Sequence, residues 1–227
     1  MPSLAQTGFI SSTLKLFFKL LYHQFAWAYD WVAAVVSIGR WKSWIFVVLP
    51  YLGNANVLEL GCGPGHLQVA HAPEKGAIFG LDASRQMLRQ ASHRLAKYNR
   101  TNNLVLGKTQ FLPYRDQSFP IIVATFPSNY INDPRTLDQV WRVLEDNGEL
   151  IALPAAWITG ENILDKFAAW LFKVTSQSPD IELDTLGTRF ADHIDGLNEI
   201  GFHVRCDLIE LPTSKIFLIR ARKFVPD

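Results

Sequence analysis

Val57-Leu58-Glu59-Leu60-Gly61-Cys62-Gly63-Pro64-Gly65 joins an apolar run to a glycine-rich turn. Its first half is a short apolar run, the pattern of a strand buried on both faces of a parallel sheet. Its second half puts glycine at every other position, which lets a backbone turn sharply and approach a bound molecule without Cβ clashes. Helical texture follows from Gly65 to Ala72, so the turn opens a helix and the first helical amides face whatever sits there. A dinucleotide fingerprint, G-x-G-x-x-G, needs a glycine at the sixth position from Gly61, and this chain has His66 there. An NAD-dependent oxidoreductase is disfavoured on that ground.

The flanking sequence repeats a strand-helix alternation. Ala77–Asp82 reads as a second strand, Ser84–Asn99 as a long helix with Met87, Leu88, Ala91 and Leu95 on its apolar face, and Leu104–Leu106 as a third strand. Pro120–Thr125 reads as a fourth strand. Asp133-Pro134 looks like an N-cap followed by proline at the first helical position, opening a helix through Leu144. Asp146-Asn147-Gly148 reads as a turn and Glu149–Pro154 as a fifth strand. A helix over Glu161–Val174, a loop over Ser176–Asp184 and a helix from Phe190 to Ile200 closed by Gly201 come next. Phe202–Leu211 and Lys215–Arg222 form two last strands joined by Pro212-Thr213-Ser214. The expected fold is α/β: a doubly wound, Rossmann-like, seven-stranded and mostly parallel sheet with helices on both faces.

Asp82 ends the second strand, where a carboxylate can accept both hydroxyls of a ribose. Its plain alternative is to cap the helix that follows. Read together, E-x-G-x-G-x-G on the first strand and Gly80-Leu81-Asp82-Ala83-Ser84 on the second resemble the class I S-adenosylmethionine-dependent methyltransferases. Gly107-Lys108-Thr109-Gln110-Phe111-Leu112-Pro113-Tyr114, followed by Asp116-Gln117-Ser118-Phe119, resembles the adenine loop of that family, with Lys108 where the family usually has Asp. Arg142-Val143-Leu144 and Gly148 match the following helix, turn and strand. The likeness runs over roughly residues 25 to 155; the C-terminal third fits in pattern only. It implies S-adenosylmethionine as cofactor, held by Tyr29, Glu59, Gly61, Cys62, Gly63, Gly65, Asp82, Ala83, Met87, Thr109, Gln110 and Phe126. The thioether of Met87 would lie near the adenine, and backbone groups at Thr109 and Gln110 would replace the missing Asp.

The N-terminal region carries a finer likeness. Phe25-Ala26-Trp27-Ala28-Tyr29-Asp30, then Ser37-Ile38-Gly39 and Trp44, resemble the helical lid of the ubiquinone/menaquinone biosynthesis methyltransferases, in which Tyr29 would close over the methionine end of the cofactor. After the fourth strand the chain departs from that group: Thr125-Phe126-Pro127-Ser128-Asn129-Tyr130 lacks its Arg-Asn pair. Residues 1–52 are thus expected as a helical lid and 53–227 as the cofactor-binding catalytic domain. The stretch Leu14–Leu52 is aromatic, but Lys15, Lys19, Asp30, Arg40 and Lys42 interrupt it, so a membrane span, which needs about 20 mostly apolar residues, is not expected. Two amphipathic helices fit better; they could cover the core, line a pocket or lie on a membrane surface.

Methyl transfer from a sulfonium needs alignment and exclusion of water more than it needs a side-chain catalyst. A base is required only if the acceptor must lose a proton. Candidates are His23, Asn129 and Tyr130; their plain readings are a packed helix residue and two turn residues. His193 reads as a surface group. Arg85, Arg89, His93 and Lys97 recur every four residues, as a solvated helix face or as a stripe that could meet anionic lipid or nucleic acid.

Composition bounds the partners. The 227 residues carry a net charge of +1, with 48% apolar and 19% charged residues, a globular balance without the footprint of a dedicated nucleic-acid binder. Cys62 and Cys206 show no metal-site spacing, and no signal peptide is visible, so no metal site and a reducing cytoplasmic setting are expected, with peripheral membrane contact as an option. The expected substrate is a small hydrophobic acceptor, quinone-like by the resemblance, methylated at carbon or oxygen. A nucleic-acid methyltransferase is the alternative, disfavoured by charge and by the order Pro127-Ser128-Asn129-Tyr130; a cofactor-binding scaffold without acceptor activity is another.

Overall fold

The computed structural model describes residues 40–127, 129–160, 191 and 194–224, apart from the side chains of Pro73 and Asn129. Seven strands form one sheet: β1 (Val57–Leu60), β2 (Ile78–Asp82), β3 (Leu104–Leu106), β4 (Phe119–Thr125), β5 (Leu144–Ile158), β6 (Phe202–Leu211) and β7 (Ser214–Lys223). Their order is β3-β2-β1-β4-β5-β7-β6. The first five strands pair in parallel, and β7 enters antiparallel between β5 and β6. The seven-stranded, mostly parallel sheet expected from the sequence is therefore present.

Helices cover both faces. On one lie α1 (Trp41–Phe46), α2 (His66–Ala70) and α3 (Arg85–Lys97); on the other lie α4 (Pro134–Val143) and α5 (residues 194–200). Each face has its own core. Trp44, Val48, Leu52, Leu67, Val123 and Ile151 fill the first. Leu58, Ile122, Leu137, Val140, Leu150 and Ile219 are among those that fill the second. Caps fix where the helices start: Ser84 accepts the Met87 amide at 3.3 Å, and Asp133, with Pro134 behind it, accepts the Arg135 amide at 3.0 Å. Along α3, Met87, Ala91 and Leu95 are buried while Arg85, Arg89, His93 and Lys97 are exposed.

Two expectations change. The fifth strand does not end at Pro154: its pairing with β7 runs on to Ile158 opposite Ser214, with a register shift between Ala152 and Ala155. Pro154 sits within that bulge, where a missing N–H interrupts no ladder bond. The turn at residues 146–148 is likewise an irregularity inside β5, since Leu144 already pairs with Phe119 before Glu149 meets Ile121. Of the expected lid, only residues 40–52 are described. They pack into the core of the sheet through Trp44, Val48 and Leu52, all at or below 1% exposure. Tyr29, His23 and the expected helix over 161–174 lie outside the described residues.

Candidate active site

The strand order reverses between β1 and β4, and the carboxyl ends of β1 to β4 open there onto a cavity of about 590 Å³. Open α/β sheets bind their ligands at such a switch point. Its floor is the glycine loop. Gly61 and Gly65 both have positive φ, 68° and 78°. A Cβ on Gly61 would lie 2.8 Å from the Tyr130 hydroxyl, and one on Gly65 would lie 2.9 Å from the Ala91 Cβ. These two glycines serve close packing, of the loop against Tyr130 and of α2 against α3. Gly63 differs: a Cβ there would meet nothing within 4 Å, and Gly63 lines the cavity. It is the glycine that leaves room for a ligand.

Asp82 ties this loop to the next strand. Its Oδ2 accepts the Gly63 amide and its Oδ1 accepts the Ser84 amide, each at 2.8 Å. A carboxylate has about four lone-pair positions, so each oxygen keeps one for a further donor in the cavity. Burial pushes the Asp82 carboxyl up from its ordinary value, and the two backbone amides oppose that shift.

The remaining walls come from β2, β3 and β4. Ala83 and Met87 line one side and Lys108, Thr109 and Gln110 another. Thr109 shares a 2.9 Å hydroxyl contact with Thr136, and the Gln110 amide donates to Asp133 at 2.9 Å, so both side chains are anchored to the start of α4. Phe126 closes the end of β4 with φ of 48°. A non-glycine residue in the left-handed region is strained, and such residues cluster at functional sites. Its ring stacks on Trp41 at 4.3 Å and tilts against Trp44 at 6.2 Å. Tyr130 lines the cavity and donates its hydroxyl to the Leu60 carbonyl at 2.8 Å.

Glu59 and Cys62 line a small adjoining pocket of about 30 Å³, with Trp41 and Ile45, which shares Gly61, Gly63 and Thr125 with the main cavity. Glu59 is 2% exposed. It accepts hydrogen bonds from the Gln68 amide and, at 3.2 Å, from the Thr125 hydroxyl. Burial nonetheless pushes its carboxyl up to about 8. The Cys62 thiol, also buried, is pushed well up. Asn129 begins the single-turn helix Asn129–Asn132 after β4.

The structure thus brings Gly61, Gly63, Asp82, Ala83, Met87, Thr109, Gln110, Phe126 and Tyr130 to one cavity. Glu59 and Cys62 line the small pocket that adjoins it, and Gly65 sits where α2 packs against α3. Sequence reasoning missed Thr125 and Gln68. Thr125 had a readable signal, since it ends the strand next to β1; Gln68 had none, because its reach to Glu59 depends on how α2 turns back over β1.

Residues 57–148 match the methyltransferase domain family. A demethylmenaquinone methyltransferase of Symbiobacterium thermophilum is 31% identical over 145 residues, 60% of this chain and 58% of the relative. A ubiquinone/menaquinone biosynthesis C-methyltransferase of Blochmanniella floridana is 26% identical over 142 residues, 59% of this chain and 56% of the relative. The chain therefore spans little more than half the length of these curated relatives. Among solved structures, a SAM-dependent methyltransferase from Aquifex aeolicus superposes with a TM-score of 0.52 at 18% identity, covering 81% of this chain and 92% of that one. The glycine loop, the Asp82 clamp and the switch-point cavity all fall within or against the stretch that matches the methyltransferase domain family.

Proposed function

We propose that this chain is an S-adenosylmethionine-dependent methyltransferase acting on a small hydrophobic acceptor of quinone type. The observation that carries the reading is Asp82, anchored by two backbone amides and still able to accept two hydroxyls, beside the open position over Gly63. The residues present fit the cofactor. The volume of about 590 Å³ lies in the range of sites for ligands of this size. Asp82 would hold the ribose, Met87 and Ala83 would flank the base, and Gly61 and Gly63 would pass under the amino-acid end.

When bound, S-adenosylmethionine supplies a methyl group activated by its sulfonium, and transfer to a nucleophile breaks the carbon–sulfur bond. The chain's own residues orient and enclose. Phe126, backed by Trp41, offers an aromatic wall against which a flat apolar ring can pack and exclude water. Tyr130 positions the loop at Gly61 through its bond to Leu60, and so is placed to shape the site rather than to remove a proton. The names of the two relatives support a quinone-type acceptor, and a flat ring suits the Phe126 wall.

The test is calorimetric titration with S-adenosylmethionine and, separately, NADH. Micromolar binding of the first alone supports the class and leads to a screen of quinol acceptors for methylated product. Binding of neither, or of NADH alone, overturns the reading.

A further inference from the structure

The edge of the sheet formed by β3 and α3 has a composition unlike the rest of the chain. Between Asp82 and Asp116 there are seven Lys and Arg residues and no Asp or Glu. The whole chain has a net charge of +1, so everything outside this stretch sums to −6. Basic residues that merely solvate a helix are usually interspersed with acidic ones, which stabilise the helix by alternating pairs. None is present here.

The same stretch gathers exposed apolar side chains. Four large hydrophobic residues are exposed among the described residues, and three of them fall here: Tyr98 at 55%, Leu106 at 43% and Phe111 at 70%. Leu106 ends the edge strand β3, in register with Asp82 of β2. Phe111 follows within one turn, its amide donating to the Lys108 carbonyl at 3.0 Å. Lys108 and Arg85 both line the cavity. From that rim α3 runs back for about 20 Å with Arg89, His93 and Lys97 exposed on the side opposite its buried Met87, Ala91 and Leu95.

We infer that this edge docks on an anionic lipid surface, with Phe111 and Leu106 inserted at the headgroup boundary and the α3 cations over the lipid charges. A face with Arg85, Arg89 and Lys97 exposed and Leu106 and Phe111 as apolar tips is complementary to a negatively charged leaflet. A second copy of the chain pairing at β3 would set like charge against like charge. A nucleic acid would satisfy the cations and stack on Tyr98 and Phe111, but it gives the aliphatic Leu106 no apolar partner, whereas a headgroup boundary accepts all three. Docking in this pose turns the cavity mouth at Arg85 and Lys108 toward the bilayer, so that a lipophilic molecule enters without crossing water. The inference concerns the surface and holds whatever the cavity binds.

The experiment is flotation of the full chain with phosphatidylcholine vesicles, with and without about 30% phosphatidylglycerol, at low salt and at about 0.5 M salt. Binding is expected only with the anionic lipid, and is released by salt. Each lost cation should lower partitioning about fivefold, so Arg89→Glu with Lys97→Glu should lower it at least 25-fold. Phe111→Ser should lower it about tenfold at unchanged charge. None of these residues lines the cavity, so thermal melting and cofactor titration of the variants should match the parent and show that they fold. No binding to anionic vesicles at low salt, no effect of the charge reversal, or tighter retention on a single-stranded oligonucleotide than on the vesicles would each overturn the inference.

Discussion

Replacing Asp82 tests the centre of the site. Its carboxylate accepts the Gly63 and Ser84 amides, each at 2.8 Å. Hydrogen bonds to a charged group contribute about 1.5–3 kcal/mol each, and the cavity is open enough for water to replace part of that, so Asp82→Ala should cost roughly 3 kcal/mol of stability. For a chain of this size that is a fall of roughly 6–12 °C in Tm. Cofactor binding should suffer separately. Two hydroxyl contacts at the lower figure amount to about 3 kcal/mol, a loss on the order of 100-fold in affinity. Asp82→Asn separates the two effects. An asparagine keeps one acceptor but turns an N–H₂ toward a backbone donor, so one amide stays paired and the loss in each assay should fall between parent and alanine variant. Differential scanning fluorimetry reads the first effect and calorimetric titration with S-adenosylmethionine the second. An alanine variant that melts within a degree or two of the parent refutes the clamp. One that binds the cofactor with parental affinity refutes the assignment of the ribose site.

Two glycines of the loop should respond in opposite ways. Gly65→Ala drives a Cβ to 2.9 Å from that of Ala91 at φ of 78°, so it should destabilise the fold by about 1–3 kcal/mol. Gly63→Ala meets nothing and should cost only about 1–2 kcal/mol of backbone strain while losing cofactor affinity. Melting and titration of the pair check the contrast, and equal behaviour would argue against it. Tyr130→Phe removes the bond to Leu60, worth about 1 kcal/mol, and should leave turnover nearly intact; a hundredfold loss of turnover at unchanged cofactor affinity would make Tyr130 a catalytic group instead. Glu59 gives a pH dependence. Its carboxyl rises from 4.5 to about 8 in the folded protein, so its contribution to stability is fully present below pH 4.5 and is lost as pH rises through about 8. Denaturant titrations should show the parent losing stability across that window relative to Glu59→Gln, by several kcal/mol at most. Parallel curves for the two proteins would show that Glu59 titrates near its ordinary value.

The layers of the fold were legible in the local sequence pattern. Short apolar runs bounded by glycine and turn residues, with the caps Ser84 and Asp133 between them, marked the seven strands and the helices α3 and α4. The glycine spacing and Asp82 were legible for the same kind of local reason: a tight turn at a strand end demands those residues whatever lies far away. What the tertiary structure decided were distances across the chain. Three glycines that look equivalent in sequence divide into one facing open space and two held against Tyr130 and Ala91, partners brought in by β4 and α3. Glu59 and Asp82 are both strand-borne carboxylates, yet one is buried against Gln68 and Thr125 while the other lines the cavity. For Trp44, Val48 and Leu52 the sequence left open whether they cover the core, line a pocket or lie on a membrane; they pack in the core of the sheet, and aromatic and aliphatic side chains carry no signal of which apolar surface they will meet. Burial and hydrogen-bond partners are properties of the packed whole, and one-dimensional spacing encodes them only where both partners sit within the same turn.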